Sequence, residues 1–357
     1  MTFLISGHVL DNNRRPVDKV KVSLKGKVVA ESGNDGSFSV KLAKAESRVA
    51  ITFAAEGYVS NTRVYDSRAG SGNVVVIWPI AYRVKFDPLR ELDIELGSSR
   101  IQIPGNALTG PGGKRISGAV GLQFTLFDIT SPFQRAAASG DFSRQLPDGK
   151  IQRLNSFGIF DFGVRDLKGG PLNLRDGARV DLSIAIPPRL AQHAPRQVGY
   201  YSFDTLSGMW IPAGTFNFVP STLRYNGHVT VLEVGSHNFD EVSDTTCVTI
   251  QVVSFFDGSG MPGFQVTAHC AQFDSYGTTD ANGFVCWLVQ RNATFTVTAQ
   301  GTFGGTFWGS SQQSTFTSPD FSSGAADCGD PTKCPFLGTY SVSPVIGIGH
   351  LLTSLPF

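Results

Sequence analysis

Cys247, Cys270, Cys286, Cys328 and Cys334 are the only cysteines of the 357-residue chain, and all five fall in its last third. Thiols grouped in this way can pair as disulfides, ligate a soft metal, or stay as inert buried thiols. Zinc sites use closely spaced Cys and His pairs. No C-x-x-C occurs here, and the six histidines are scattered. Disulfides in an oxidising compartment are therefore the expected use, with inert thiols and a metal site as the alternatives. The odd count leaves one thiol free or intermolecular, and "CGDPTKC" could close a tight loop between Cys328 and Cys334.

Other residue sets suggest chemistry and then lose it on context. His237 in "GSHNFD" is flanked by Ser236, Asn238 and Asp240. A histidine hydrogen-bonded within a junction is expected there, rather than a catalytic or metal-bound one. Asp128, Asp141, Asp148, Asp161 and Asp166 are close in sequence. Glycoside hydrolysis needs two acids about 5–10 Å apart across one cleft, but "PDGK" and "RDLKGG" read as turns. Calcium is the runner-up use of such oxygens, and no D-x-D-x-D-G loop is present. No usable G-x-S-x-G occurs, and nothing fixes a nucleophile beside a base. "GSGNVVV" and "GGTFWG" precede no helix, so neither builds a phosphate cradle. No catalytic residue, cofactor site or metal site is assigned. Tyr200, Tyr201, Trp210, Phe307 and Trp308 are the candidates for an exposed platform that stacks on sugar rings. Asn292 in "NAT" is a glycosylation sequon, used only on a eukaryotic secretory route.

Charge is balanced overall, with a formal net charge of +1, which argues against general nucleic-acid affinity. It is unevenly placed, however. From Glu241 onward eight acids face only Arg291 and Lys333, while Arg14, Arg15, Lys19, Lys21, Lys25 and Lys27 form a basic run near the start. Such a run most simply protects a strand edge from pairing. No apolar stretch reaches the roughly 18 residues of a membrane span, and no signal-peptide pattern precedes the first strand. A secreted protein would then be read here as a mature or truncated chain, a cytosolic one as carrying reduced cysteines.

The elements that position these residues are short strands. "VKVSLKG" puts Val20, Val22 and Leu24 on one face, and "FSVKL" does the same for Phe38, Val40 and Leu42. From Val248 the order recurs: strand, Pro-containing turn, strand, Asx-Gly turn, strand. In this alignment Pro16 matches Pro262, Val20 matches Val266, and Gly36 matches Gly283. Val285 fills the slot of Phe38, so Phe284 points to the other face. Cys270 and Cys286 then stand where the first copy has Leu24 and Ser39.

"ISGHVLDNNRRPVDKVKVSL" with "GNDGSFSV", and "VVSFFDGSGMPGFQVTA" with "TTDANGF", resemble carboxypeptidase regulatory-like domains, whose fold is a transthyretin-like β-sandwich. That family often has Asp three residues before the hairpin glycine; Asp280 fits, and Gly33 replaces it in the first copy. Between the copies, "IQIPGNALTGPGGKRISGAVGLQFTLFD" resembles the opening of β domains found in ankyrins and netrin receptors. Its continuation through "YYSFDTLSGMWIPAGTF" and "EVGSHNF" resembles the middle region of cartilage intermediate layer proteins. Asn238 and Phe239 depart from that family's closing S-H-F-x-x-W-N. These resemblances imply an extracellular, mostly non-enzymatic module.

The expectation is an all-β chain of three consecutive β-sandwich-like domains, the first and third of one type, at residues 1–82, 83–240 and 241–357. The expected role is that of an extracellular or cell-surface structural or adhesion protein. It would act through protein contacts, self-association included, with no cofactor and no membrane-spanning segment. Carbohydrate binding through the exposed aromatics is the alternative.

Overall fold

The computed structural model describes residues 3–44, 48–65, 72–147, 149, 151–192, 194–242, 245–270, 274–304, 306–309, 314–320 and 334–344. The fold is all-β, as the period-2 patterns require. Its only helices among the described residues are α1 (Pro132–Ala137), α2 (Pro188–Ala191) and a single 3-10 turn.

The first group of strands comprises β1 (Phe3–Leu10), β2 (Lys21–Leu24), β3 (Lys27–Glu31), β4 (Ser37–Leu42), β5 (Val49–Ala54), β6 (Tyr58–Val59), β7 (Asn61–Tyr65), β8 (Asn73–Val76) and β9 (Trp78–Pro79). One sheet runs β4-β1-β8 and the other β3-β2-β5-β7. Alternation buries one face of each strand. Ile5, Val9, Phe38, Val40 and Val75 from the first sheet meet Val22, Ile51, Phe53 and Tyr65 from the second in one core. The outer edge, β3, is kinked by a bulge opposite Val22 and Ser23, and Lys25 and Lys27 are exposed at its start. Both features discourage a further strand from adding there.

The middle group comprises β10 (Tyr82–Phe86), β11 (Leu92–Leu96), β12 (Ser99–Ile103), β13 (Leu108–Thr109), β14 (Val120–Phe127), β15 (Ser143–Gln145), β16 (Ile151–Asp166), β17 (Asn173–Leu174), β18 (Val180–Ala185), β19 (Gln197–Asp204), β20 (Met209–Val219), β21 (Arg224–Val229) and β22 (Gly235–Val242). Its main sheet runs β10-β14-β16-β22-β19-β20-β21-β18-β12-β11, with β15 on β16. One apolar cluster takes side chains from strands all along that path, so the sheet curls around it. Phe124, Phe160, Phe216, Tyr225 and Phe239 lie at its centre.

The last group comprises β23 (Thr245–Ser254), β24 (Gln265–His269), β25 (Asp274–Thr278), β26 (Phe284–Gln290), β27 (Thr294–Phe303), β28 (Thr306–Gly309), β29 (Ser314–Thr317) and β30 (Phe336–Pro344). Its pairing scheme is that of the first group. β1 pairs antiparallel with β4 and parallel with β8; β23 pairs antiparallel with β26 and parallel with β30. β2 lies between β3 and β5, and β24 between β25 and β27. The extra strand β28 joins β27 to β30 and links the two halves into one continuous sheet.

The likeness extends to single hydrogen bonds. Val9 N–H donates to the Gly36 carbonyl, and Val252 N–H to that of Gly283, each at 2.8 Å. The Ser32 hydroxyl accepts from Val20 N–H and donates to the Val17 carbonyl. Thr279 does the same with Phe264 N–H and the Met261 carbonyl. These bonds correct the alignment made from sequence. Val20 corresponds to Phe264, and Pro16, bridged to Leu10, corresponds to Gly260, bridged to Val253. The cause is a first turn one residue longer in the last group, with its proline beyond the bridge. Leu24 corresponds to Ala268, since they lie opposite Ile51 and Val297. Cys270 is thus past the end of the strand, whereas Cys286, opposite Thr249, does stand where Ser39 stands opposite Ser6. Phe284 points away from the core and meets the Phe336 ring at 6.0 Å.

Candidate functional site

The joints between groups take up much of the buried polar chemistry. Asn61 at the start of β7 donates from Nδ2 to the carbonyls of Val76 and Ala136, at 2.7 and 2.9 Å. Gly140 N–H donates to the Thr62 carbonyl, and the Ser139 hydroxyl accepts from Thr62 N–H. Arg48 forks onto Asp141 at 2.7 and 3.1 Å and also reaches the Gly208 carbonyl. The Asp141 charge opposes the desolvation of the guanidinium and keeps its pKa above the usual value. Around these bonds Val59, Val76, Phe127, Tyr201 and Trp210 form a shared apolar cluster. The first and last groups also touch, through Arg63 and Gln265 at 3.4 Å.

His237 on β22 is locked inside the middle core. Its ring stacks on Phe160 and Tyr200, with centroids 5.3 and 5.5 Å away. Nε2–H donates to the Glu233 carbonyl at 3.0 Å, which leaves Nδ1 to accept from the Tyr200 hydroxyl at 2.8 Å. Burial disfavours the imidazolium and lowers the pKa to about 4. Both ring nitrogens are used and the ring is 2 % exposed, so no substrate can reach it.

The sign of the resulting pH dependence follows from linkage. The unfolded histidine takes its proton near pH 6.5, the folded one only near 4. Its stabilisation is therefore complete above about 6.5 and is lost as pH falls toward 4, by up to about 3 kcal/mol. Asp161 acts in the opposite sense. Desolvation pushes its pKa up to about 6, so its contribution is lost as pH rises from about 4 to 6. Urea midpoints between pH 4 and 7 should show a shallower acid-side decline for His237→Phe and a steeper one for Asp161→Asn. Unchanged slopes in both variants would contradict these assignments.

The other acids of that stretch are structural. The Asp128 carboxylate accepts from Thr130 N–H, and that of Asp166 accepts from Lys168 and Gly170 N–H; both are turn aspartates. Asp141 is held by Arg48, and Asp148 lies outside the described residues. An open polar concavity of about 320 Å³ lies on the outer face of the middle sheet, lined by Arg100, Gln102, Arg179, Asp181 and His228 among others. Its arginines are already engaged, Arg100 by Asp93 and Arg179 by Asp181.

The cysteines come together in part. Cys247 on β23 bonds to Cys334 just before β30, with Cα atoms 4.6 Å apart. This replaces the expected Cys328–Cys334 loop, because the parallel pairing of β23 with β30 brings Cys334 against Cys247. The Cys286 sulfur lies 3.5 Å from that of Cys247, and Cys286 is itself disulfide-bonded. The cluster thus holds disulfide sulfur rather than the thiolates a metal requires. Cys270 keeps its thiol and is half-buried, and Cys328 lies outside the described residues.

The aromatic platform is corrected. Tyr200, Tyr201 and Trp210 are 3 %, 4 % and 0 % exposed, so none can stack on a sugar. Tyr200 belongs to the middle core and Tyr201 and Trp210 to the joint with the first group, so both faces of β19 are covered. Phe307 remains at the surface and Trp308 is half-buried. Sequence reasoning passed over Phe255 and Phe256, the most exposed large apolar residues among those described, at 70 % and 71 %. Their signal was the adjacent pair in "VVSFFDG", where alternation stops. Asn292 is exposed in the turn between β26 and β27, with a left-handed φ of 48°.

No family model matches the chain, and no curated protein matches it either. Solved structures similar to it include the major pilin subunit BcpA of Bacillus cereus, at 9% identity and a TM-score of 0.21, covering 96% of this chain and 100% of that one. The Bacillus anthracis TIE protein matches at 12% identity and a TM-score of 0.19, covering 96% and 50%. A streptococcal ancillary pilin matches at 8% and 0.19, covering 96% and 99%. At such TM-scores none of them bears on what this chain does.

Proposed function

We propose that this chain is a non-enzymatic structural or adhesion protein of an extracellular or cell-surface setting, acting through protein contacts and associating with copies of itself. The observation that carries this reading is the split of charge. Lys19, Lys21, Lys25 and Lys27 are exposed at the starts of β2 and β3 and in the turns before them, and the last group is acidic, with Asp257 and Asp320 exposed. Complementary fields on one chain favour contact between copies. The Cys247–Cys334 disulfide supports an oxidising compartment. The recurrent pairing scheme supports two units of one kind at residues 1–82 and 241–357, of the carboxypeptidase regulatory-like type. A distinct unit at 83–240 would lie between them, of the kind found in cartilage intermediate layer proteins.

The test is charge reversal. Lys19→Glu, Lys21→Glu and Lys25→Glu together should weaken self-association by about tenfold or more at low salt, read by light scattering over a concentration series. These side chains are exposed, so the fold should be unaffected. Association equal to that of the native chain would sink the reading.

A further inference from the structure

The two related groups carry exposed apolar pairs at different places. In the first group the pair is Val28–Val29 on the edge strand β3, 56 % and 49 % exposed. The bulge in β3 is the cause. Val22 lies opposite Ala30 but Ser23 lies opposite Val28, so Val29 is the extra residue. A bulge interrupts strict alternation, and two successive side chains can then both stay out of the core. The matching strand β25 pairs with β24 without a shift, so Val29 has no counterpart there.

In the last group the pair is Phe255–Phe256, 70 % and 71 % exposed, in the turn after β23. Phe256 N–H donates to the Ser254 hydroxyl as Asn13 N–H does to the Asp11 carboxylate, so the two rings stand where the first group has Asn12 and Asn13. The Phe256 ring meets Trp308 at 6.0 Å, and Trp308 meets Phe303 at 6.2 Å, which widens the apolar surface. Contiguous exposed apolar surface of this kind marks a contact site.

The surroundings of the two pairs are complementary. Lys25 and Lys27 are exposed beside Val28, and the exposed Asp257 follows Phe256. β3 is also the far edge of its sheet from β7, whose Arg63 reaches Gln265 of the last group. The valines are thus carried on the edge remote from their own last group and stay open to a second copy. Unlike patches that meet between copies make a heterologous contact, which repeats head to tail.

We infer that the Phe255–Phe256 patch of one copy seats on Val28 and Val29 of the next, with Asp257 facing Lys25 and Lys27. This rests on the self-association proposed above and names its contact surfaces. The contact is made by side chains, so the bulge and lysines that discourage a further strand do not oppose it.

The test places a photo-crosslinking residue in the full chain, as Phe256→p-benzoylphenylalanine, with irradiation at low salt. Products should run at dimer mass and above, and should join position 256 to a peptide within residues 25–31 of another copy. Val28→Ser with Val29→Ser should lower that yield by about tenfold, since two apolar side chains lose their burial. Both valines are exposed, so sheet content by circular dichroism should not change. Light scattering on the same samples separates two failures. If the chain associates, then crosslinks to another segment, at monomer mass only or not at all, or a yield unmoved by the serines, would overturn the inference and leave self-association standing. No association would remove both.

Discussion

Replacing Gly283 by alanine should cost about 3 kcal/mol, and Gly36→Ala should cost nearly the same, although the two lie in different sandwiches. At Gly283 φ is +81° and an added Cβ would stand 2.4 Å from the Val252 carbonyl oxygen; at Gly36 φ is +76° and the distance to the Val9 oxygen is 2.5 Å. The left-handed conformation costs an L side chain about 1–2 kcal/mol. The forced displacement of backbone adds about 1–3 kcal/mol more. Gly57 separates the two terms, because its φ is +91° but nothing lies within 4 Å of an added Cβ. Gly57→Ala should therefore cost only the conformational part. Hydrogen exchange on the full chain reads each sandwich locally, which avoids assuming one cooperative transition. Equal costs at Gly57 and Gly283, or a neutral Gly36→Ala, would contradict the shared geometry.

The second large effect is expected at the disulfide. Cys247 and Cys334 are 87 residues apart in sequence, and a loop of that length gains about 4–5 kcal/mol from cross-linking in the chain-entropy account. Cys247→Ser with Cys334→Ser should remove most of it. The loss should be confined to the last group: amides of Phe295, Val297 and Ala299 in its core should lose protection, while those of Ile51 and Phe53 in the first core should keep theirs. Equal loss in both cores would show that the two sandwiches unfold as one unit. No loss in either would show that the bond does not hold the last sandwich.

Much of this architecture was legible because it is local. The alternation in "FSVKL" and the Asx-Gly turns follow from backbone period and from the left-handed φ that glycine accepts. Gly36 and Gly283 were matched correctly for that reason. The match of Pro16 to Pro262 failed because a proline marks a turn without fixing its length. Strand order in the middle sheet depends on pairings between distant segments, and no local pattern encodes them. Arg48 and Asp141, 93 residues apart, meet only because the groups pack.

The aromatic candidates show the same boundary. Adjacent residues on a strand point to opposite faces, so "YYSF" implied that at least one tyrosine was exposed. A register shift falls between Tyr200 and Tyr201, and both faces of β19 are covered, one by the curled sheet and one by the first group. Burial of the second face is a property of the packed chain. The exposed pair Phe255–Phe256 was missed for the converse reason, since an apolar pair at a strand end reads as core until the packing shows nothing over it.

The proposed role is tested most directly by the salt dependence of self-association in the native chain. Sedimentation velocity across a concentration series should show species larger than the monomer at about 20 mM salt, shifting to monomer at about 500 mM, where the Debye length falls to roughly 4 Å. The weight-average sedimentation coefficient should rise with concentration only at the low salt. A monomer at every concentration and both salts would contradict the account.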